Sequence, residues 1–288
     1  MIYKLKNIYL STTFAKNNSK VSDILSVCKK ENITNIELGS NHSYEKNFEK
    51  IVKKYKFCYI VHNYFPIPKK SFVINIASSS KRIRNLSLQH IKKAINFCHE
   101  TNSKLYTFHP GFVVDPITAS KSNNNYDFIW KKRILNKNYK LAFKNMIVSL
   151  KEIVNFSKSK GVKIAIETEG SVKKSKLLLM QKPEEYQKLF KYFKPNELGI
   201  NLNIGHLNLA AKVFNFSKVE FVRKIKPYVL AMELSHNNGV EDQHLPLKKK
   251  AWYWKIINDP DFSDIYKILE FRNTNIKNIK KNFNFFKK

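Results

Sequence analysis

The chain has 288 residues, 43% of them hydrophobic, and a formal net charge of +31 at pH 7. This length can bury the core of one large domain, and we expect a single domain over residues 1–288. Neither a run of roughly 20 apolar residues, as in a membrane span, nor the apolar region of a signal peptide is found, so we expect a soluble, cytoplasmic protein without a membrane partner.

The positive charge raises the question of a nucleic-acid partner, because clustered Lys and Arg neutralise phosphates. The basic residues are almost all Lys and are spread along the whole chain. Arg, whose planar fork suits phosphates and bases, is confined to Arg82, Arg84, Arg133, Arg223 and Arg272. We therefore expect a small substrate, with nucleic acid kept as an alternative partner; an anionic substrate also fits. The oligomeric state is left open.

In chain order, short apolar runs typical of buried strands alternate with apolar residues at helical spacing. A first strand is predicted near Ile8 to Ser11 and a closing helix after Asn273. Between them, helices are predicted over Val21 to Glu31, about Tyr44 to Tyr55, Ser80 to Thr101, a long segment ending at Lys160, and Pro183 to Phe193. Phe112 to Lys132 is the longest irregular segment, and we expect it to form a lid or a wall of a substrate site.

Seven apolar runs each end on a side chain that can bind a metal ion, or on its amide analogue. The runs are NIEL with Glu37, YIVH with His62, LYTFH with His109, IAIE with Glu167, LGINLN with Asn203, VLAMEL with Glu233 and IYKILE with Glu270. In a barrel of parallel strands, the carboxyl ends of all strands lie on one face, where active sites form. The pattern predicts an α/β fold, a single (β/α)8 TIM barrel with the active site at the C-terminal ends of its strands.

Two of the candidate groups come from strand ends. His62, His109 and Glu167 combine two imidazoles with a carboxylate, a set that suits zinc, manganese or iron. Glu167 also belongs to a mainly carboxylate set with Asn203, Glu233 and Glu270, which would favour a hard ion such as manganese or magnesium. The alternatives are unrelated structural polar residues for the first group and a hydrogen-bonded rim without a metal for the second.

A third group lies outside the strand ends. It consists of His206 in the motif NIGH and of Asp242 and His244 in the motif DQH. Alternate residues of an extended segment point to the same side, so Asp242 and His244 could bind one ion. The alternative is a loop in which DQH caps a neighbouring element.

Other residues near strand ends are candidates for substrate contact. Glu37, Tyr64, His236 and Trp252 are predicted to contact the substrate, whereas His42 is predicted to be a solvated loop residue. The cysteines Cys28, Cys58 and Cys98 form no CxxC pair and are expected to be reduced, buried thiols. The chain contains no P-loop, no GxSxG elbow and no GxGxxG fingerprint.

The ordered motifs IELG, VHNYFP, FHPG, IETEG, NLNIGH, ELSHNNGVEDQHLP and ILE resemble the xylose isomerase-like barrel superfamily. This superfamily contains sugar isomerases, sugar epimerases and class II apurinic endonucleases, and the resemblance covers about Ile36 to Glu270. The phrases NIGHLNLAA and ELSHNNGVEDQHLP are more similar to those of the sugar phosphate isomerases and epimerases. After HLPL, this chain has LKKKAW in place of the family's Gly-rich continuation, which implies an altered substrate mouth or lost activity.

In the endonuclease branch, three zinc ions are bound, and the resemblance implies that His62, His109 and Glu167 match the first site. His206, Asp242 and His244 match the third site in the same way. The middle site departs from the family, because Asn203 stands where the family has Asp, and Glu233 stands where it usually has His. The same two departures affect the single metal site of the epimerase branch, which corresponds to Glu167, Asn203, Glu233 and Glu270.

The resemblance implies a divalent-metal-dependent isomerase or epimerase of a sugar or sugar phosphate, acting by proton transfer through an enediolate. Glu167 and Glu270 would be the catalytic acid and base, and His206 would orient a substrate hydroxyl. One to three ions of zinc, manganese or iron are expected as cofactor. The alternatives are a metal-dependent phosphodiester hydrolase that acts at apurinic sites, and a barrel that binds its ligand without turnover.

Overall fold

The computed structural model describes residues 7–119, 128–130, 138–170 and 177–287. Eight parallel strands close into a barrel in which each strand pairs with its neighbours in chain order. The barrel strands are β1 (Ile8–Ser11), β2 (Asn35–Leu38), β3 (Cys58–His62), β4 (Leu105–Phe108), β5 (Lys163–Glu167), β6 (Gly199–Asn203), β7 (Val229–Leu234) and β8 (Tyr266–Leu269). The predicted TIM barrel is confirmed.

Helices follow the strands along the chain. They are α1 (Val21–Lys30), α2 (Phe48–Lys54), α3 (Lys81–Glu100), α4 (Tyr139–Lys160), α5 (Pro183–Leu189), α6 (Ile204–Phe214), α7 (Lys218–Ile225), α8 (Trp254–Ile257) and α9 (Ile276–Phe283). Local signals fix several of their ends: the Ser80 hydroxyl accepts the Ile83 N–H at the start of α3, and Gly161 ends α4 in the left-handed conformation. No helix in the described part of the chain combines the length and the apolar character needed to cross a bilayer.

The period-two alternation of the strands separates the inside of the barrel from the surrounding helices. Inside, one apolar layer is formed by Tyr9, Ile60, Leu105, Ala165, Ala231 and Ile268. The residues two positions further along these strands are Ser11, His62, Thr107, Glu167, Glu233 and Glu270. The barrel interior therefore has an apolar layer in its middle and polar side chains at the carboxyl ends of the strands.

The larger core lies between the outer face of the strands and the helices. It contains buried residues such as Leu25 of α1, Ile91 of α3 and Leu150 of α4, each with no exposed surface. Burying one such side chain stabilises the fold by about 1.5–3 kcal/mol. This outer core fixes the strands in register and leaves their carboxyl ends free to carry polar side chains.

The structure corrects some sequence-based boundaries. Helix α2 begins at Phe48 rather than near Tyr44, because the preceding Glu45 binds the start of α1, accepting the Ser22 N–H at 3.1 Å and its hydroxyl at 2.8 Å. Helix α5 ends at Leu189 rather than Phe193. Helices α6, α7 and α8 had no assigned sequence pattern. All three cysteines are free, as expected, and Cys28 and Cys98 are buried. Cys58 is exposed instead, because it is the first residue of β3 and precedes the buried part of this strand.

Only part of the irregular segment from Phe112 to Lys132 falls within the described residues. There, Thr118–Ala119 and Phe128–Ile129 pair as a short antiparallel ribbon. The ring of Phe112 packs against Phe128, with centroids 4.6 Å apart, and Val113 donates its N–H to the Leu177 carbonyl oxygen at 2.7 Å. Residues 120–127 and 131–132 lie outside the described part, so the expected lid stays a prediction.

Candidate metal centre

The first group, His62, His109 and Glu167, comes together at the carboxyl ends of β3, β4 and β5. His62 Nε2 lies 3.7 Å from Glu167 Oε2. His109 turns its Nδ1 to Glu169 Oε1 at 2.9 Å, and this nitrogen lies 3.5 Å from Glu167 Oε2. Each residue offers a ligand atom, and these atoms lie within 4.8 Å of one another. His62 Nδ1 is 2.8 Å from the Thr107 hydroxyl, which orients the ring so that Nε2 faces Glu167.

The second group, His206, Asp242 and His244, joins the start of α6 to the loop after β7. Asp242 Oδ2 is 2.7 Å from His244 Nε2 and 3.7 Å from His206 Nε2. His206 Nδ1 donates to the Thr168 carbonyl oxygen at 2.9 Å, which directs Nε2 toward Asp242. His244 adopts a left-handed φ of 46°, so the loop holds its ring at a backbone conformation that few residues adopt.

Between the two groups, the Asn203 side chain lies among three carboxylates. Its Nδ2 donates to Glu167 Oε1 at 2.9 Å, to Glu233 Oε2 at 2.9 Å and, more weakly, to Glu270 Oε2 at 3.4 Å. Its Oδ1 accepts the His206 N–H at 3.0 Å and thereby caps the start of α6. The amide thus presents its nitrogen, and not its oxygen, to the carboxylates.

A register shift positions this amide. The pairing of β6 with β7 contains an irregularity between Ile200 and Asn201, after which Asn203 lies opposite Glu233. Irregularities of this kind re-aim side chains at the ends of strands. Asn201, two residues earlier on the same strand, donates to the other oxygen of Glu233 at 2.6 Å. Two amides therefore hold one carboxylate.

Glu37 lies deeper in the barrel, on β2. Its side chain has no exposed surface, and the Ser11 hydroxyl is a hydrogen-bonding neighbour of its carboxyl group. A further set of possible ligand atoms joins Glu37 to His62 and Glu233. In this set, however, His62 faces Glu233 with Nδ1, which lies 3.3 Å from Glu233 Oε1. The same nitrogen already contacts the Thr107 hydroxyl. This set is therefore a weaker candidate than the two histidine-rich groups.

Burial and neighbouring charges divide the carboxyl groups into two kinds. Burial raises the pKa of Glu37 and of Glu233 well above the ordinary value, and neighbouring carboxylates raise it further. Burial also acts to raise the pKa of Glu167 and of Glu270, but nearby imidazoles outweigh this effect. His109 is the main imidazole that lowers the pKa of Glu167, and His244 lowers the pKa of Glu270. Glu167 and Glu270 are thus the carboxylates held in the ionised form.

The imidazoles differ in the same way. Burial lowers the pKa of His62 to about 4. Burial also acts to lower the pKa of His109 and of His244, but adjacent carboxylates raise them to about 9 and about 8. Buried carboxylates balanced by imidazolium groups are the setting in which a dication binds by displacing protons.

The two histidine-rich groups fit a divalent ion, and the carboxylate set does not. Each histidine-rich group supplies two imidazoles and one carboxylate, a donor set common for zinc and related ions. In each group, an imidazole has one ring nitrogen held by a hydroxyl or carbonyl oxygen so that the other faces the remaining ligands. In the carboxylate set, Asn203 offers an N–H donor, which cannot bind a cation.

The predicted substrate contacts are dispersed. The Tyr64 ring stacks on His90, with centroids 5.3 Å apart, and its hydroxyl accepts the Phe72 N–H at 2.6 Å. His236 and Trp252 both pack edge-on against Tyr253, with centroids 6.0 and 5.6 Å away. Tyr64, His236 and Trp252 lie in loops that follow the strands. Their contacts with a substrate stay predictions.

His42, predicted to be solvated, is buried instead. Its Nε2 lies 2.7 Å from the Thr12 hydroxyl, and its side chain packs against Phe65. The ring therefore joins the end of β1 to the loop after β2, which a loop histidine in isolation would not do.

Sequence analysis did not assign the residues that support the centre. Glu169 contacts His109, Thr107 contacts His62, and Thr168 contacts both His206 and Asn203. Thr168 and Glu169 directly follow the strand end at Glu167, so their position in the motif IETEG was the available signal. Their partners, which are distant in the sequence, were not visible there.

Comparison with known proteins gives a family match over most of the chain. The family model described as xylose isomerase-like TIM barrel matches residues 28–288. An uncharacterized protein of Methanocaldococcus jannaschii is 30% identical over 103 residues, which are 36% of this chain. That match spans about a third (33%) of the relative's own length.

Solved structures share the fold over almost the whole chain. A D-tagatose 3-epimerase-like protein superposes with a TM-score of 0.73 at 21% identity, covering 97% of this chain and 95% of that one. A D-psicose 3-epimerase from Clostridium cellulolyticum has a TM-score of 0.65 at 12% identity, covering 95% and 89%. A Thermus thermophilus protein soaked with ZnCl2 has a TM-score of 0.61 at 13% identity, covering 97% and 96%. At these identities the likeness establishes the fold.

Proposed function

The chain belongs to the xylose isomerase-like TIM barrel family, and from this premise we propose that it is a divalent-metal-dependent isomerase or epimerase of a sugar or sugar phosphate. The proposal treats residues 1–288 as one domain. The observation that carries it is the arrangement of Glu167 and Glu270. The carboxylates of Glu167 and Glu270 lie 2.9 and 3.4 Å from the same amide nitrogen of Asn203. Glu167 ends β5 and Glu270 follows β8, three strands further around the barrel.

The enclosure of the centre supports a small substrate. His62, Glu167, Glu233 and Asp242 are all buried, and a closed, polar site at the end of a barrel excludes bulk water from the reaction. Small-molecule sites combine such enclosure with a few convergent polar groups. Two of the structures with this fold are of proteins named for 3-epimerase activity.

In the proposed mechanism, Glu270 takes the proton from the carbon beside the substrate carbonyl and becomes a carboxylic acid. In an isomerisation this acid returns the proton to the adjacent carbon, while the hydroxyl proton moves to the former carbonyl oxygen. In an epimerisation, Glu167 takes up a proton from solvent and returns it to the same carbon from the opposite face. Glu270 is the proposed base, because the His244 imidazole lowers its pKa and keeps it ionised. Glu167 is the opposing carboxylate, whose Oε1 is held by Asn203 and lies 3.0 Å from His206 Nδ1. Positioned acids and bases of this kind contribute roughly 10²–10⁴-fold to rate.

The residues that would hold metal are His62, His109 and Glu167 in one group and His206, Asp242 and His244 in the other. A divalent ion there would polarise the carbonyl and make the adjacent carbon-bound proton more acidic. Because the Thr168 carbonyl oxygen holds His206 Nδ1, the ring has Nε2 left for one partner, and without an ion in the second group Nε2 would orient a substrate hydroxyl. Glu37, Tyr64, His236 and Trp252 stay proposed substrate contacts.

The test is hydrogen exchange with solvent. The protein is incubated in D2O with manganese, cobalt or zinc and a panel of ketoses, aldoses and their phosphates, and NMR follows the proton on the carbon beside the carbonyl. Exchange of that proton together with a new epimer or isomer is the expected result. If every sugar of the panel kept its proton while a phosphodiester was cleaved, the proposal would be wrong.

A second function, a metal-dependent phosphodiester hydrolase, is favoured by one observation. Both histidine-rich groups are assembled, with ring centroids of His109 and His206 6.4 Å apart. Two neighbouring metal ions can activate a water molecule and stabilise the leaving oxygen of a phosphodiester. Cleavage of an oligodeoxynucleotide with one apurinic site, compared with the same oligonucleotide without it, tests this function directly.

A further inference from the structure

We infer that the Asn203 side-chain amide takes the place of a cation between Glu167, Glu233 and Glu270, so that this centre binds metal only in its two histidine-rich groups. The inference concerns metal content and holds for either reaction. It rests on contacts within the described residues. The amide nitrogen lies 2.9, 2.9 and 3.4 Å from oxygens of the three carboxylates.

The three carboxylates need a partner where they meet. Asn203 and Glu233 have no exposed surface, and Glu167 and Glu270 are buried. Buried carboxylates are stable only with a cation or with hydrogen-bond donors. Here His206 contacts Glu167 and His244 contacts Glu270, each at 3.0 Å, and Asn201 donates to Glu233. The amide of Asn203 is the donor that contacts all three groups where they meet.

The orientation of the amide is fixed from its other end. Asn203 Oδ1 accepts the His206 N–H at 3.0 Å as the N-cap of α6. A reversed amide would set its own N–H donors against the His206 N–H and its oxygen against the ionised carboxylates of Glu167 and Glu270. Both contacts would be repulsive, so the nitrogen stays toward the carboxylates.

A cation cannot share this position. An amide nitrogen carries two hydrogens, and its lone pair is delocalised into the carbonyl group, so it does not bind a metal ion. Nδ2 also occupies the point that is within hydrogen-bond distance of all three carboxylates. The second amide, Asn201, donates to Glu233 Oε1 at 2.6 Å and restrains the carboxylate that a central ion would need most.

Asn203→Asp tests the inference, because Asp removes both N–H donors, adds a carboxylate and still caps a helix well. Protein stripped with chelator is loaded with Zn²⁺ or Mn²⁺, desalted and measured by elemental mass spectrometry, with calorimetric titration as a second readout. We expect two bound ions per chain for the unaltered protein and three for Asn203→Asp.

Asn201→Asp is the matched control. It makes the same chemical change on the same strand, but the Asn201 amide contacts Glu233 and not the other two carboxylates in the described contacts. We expect two ions per chain for this variant. Three ions in Asn201→Asp would show that added negative charge alone recruits metal and would overturn the inference.

Thermal unfolding separates a folding failure from a wrong inference. Asn203→Asp should melt at a lower temperature than the unaltered protein without metal and should gain more from added metal. If it does not fold, Asn203→Ser keeps the cap, removes the amide and should also bind a third ion. Three ions in the unaltered protein, or no third ion in the folded variants, would overturn the inference, and neither result depends on enzymatic activity.

Discussion

Glu169 accepts a hydrogen bond from His109, with 2.9 Å between Glu169 Oε1 and His109 Nδ1. The carboxylate is buried and lies two residues after Glu167, the metal-capable residue at the end of β5. A carboxylate behind an imidazole fixes the ring orientation and increases the basicity of the nitrogen that binds the metal. Glu169 therefore positions His109 in the first histidine-rich group.

Replacing Glu169 by Gln is expected to lower the affinity of this group for its metal ion by about 10–100-fold, because Gln removes the negative charge behind the His109 ring. Calorimetric titration of stripped protein with Zn²⁺ measures the change. Glu185→Gln is the control, since the buried Glu185 accepts the N–H groups of Gln181 and Lys182 at 2.7 Å. That variant should lose stability and keep its metal affinity; equal effects of the two variants on affinity would contradict the role of Glu169.

The two histidine-rich groups should lose metal separately. His62→Ala removes a ligand of the first group, and His244→Ala removes a ligand of the second. Each variant should bind one ion fewer than the unaltered protein when measured by elemental mass spectrometry, and the double variant two fewer. His99→Ala, on an exposed histidine at the end of α3, should change nothing. Loss of both ions in either single variant would mean that the groups form one coupled site.

Glu270→Gln should slow turnover strongly and leave the ions in place. The carboxylate contacts His244 and Asn203 but belongs to neither histidine-rich group. We expect kcat for the exchanging sugar to fall by about 10²–10⁴-fold, the contribution of a positioned base. Metal content measured on the same sample should be unchanged, and Glu49→Gln on the exposed face of α2 serves as the control. Loss of an ion from Glu270→Gln would instead make Glu270 a ligand.

Gly170→Ala should disturb the second group through the backbone. A Cβ at position 170 would lie 2.6 Å from His206 Cα and 2.8 Å from the His206 carbonyl oxygen. These backbone atoms cannot move without shifting the start of α6, so we expect a loss of about 1–3 kcal/mol in stability and weaker metal binding by His206. At Gly161, an added Cβ meets no atom within 4 Å but the left-handed φ of 64° is strained. Gly161→Ala should therefore lose stability in denaturant titrations without losing metal affinity.

His90 should make stability depend on pH. Burial, helped by Lys93, lowers the pKa of His90 to about 4 from an ordinary 6.5. The unfolded chain therefore takes up the proton first as the pH falls, so stability is full above pH 6.5, falls between pH 6.5 and 4, and levels off below 4. At pH 5 the loss due to His90 is about 2 kcal/mol.

His90→Phe preserves the packing against Tyr64 and Phe72 and removes the titrating group. Urea denaturation of both proteins at pH 7.5 and pH 5 should show that the unaltered protein loses about 2 kcal/mol more than the variant. Equal losses in the two proteins would assign the pH dependence to other groups, such as the buried His42, whose pKa burial also lowers to about 4.

The sequence predicted the alternation of elements and the face on which the centre lies, because both depend on local pattern. Strand periodicity places His62, Glu167 and Glu233 two residues beyond an apolar layer, and parallel strands bring such ends to one face. The motif comparison identified the family, which the match over residues 28–288 confirms. Ser80 and Gly161 marked helix ends because capping depends on the residue itself.

Only the tertiary structure decided which polar groups meet and which way they face. The Asn203 amide turns its nitrogen to the carboxylates because the backbone N–H of His206 holds its oxygen. Glu169 gains its partner from the end of β4, 60 positions away in the sequence. The physical reason is that hydrogen bonds form between residues that the closed barrel brings together, and the periodicity of one strand contains no information about its distant neighbours.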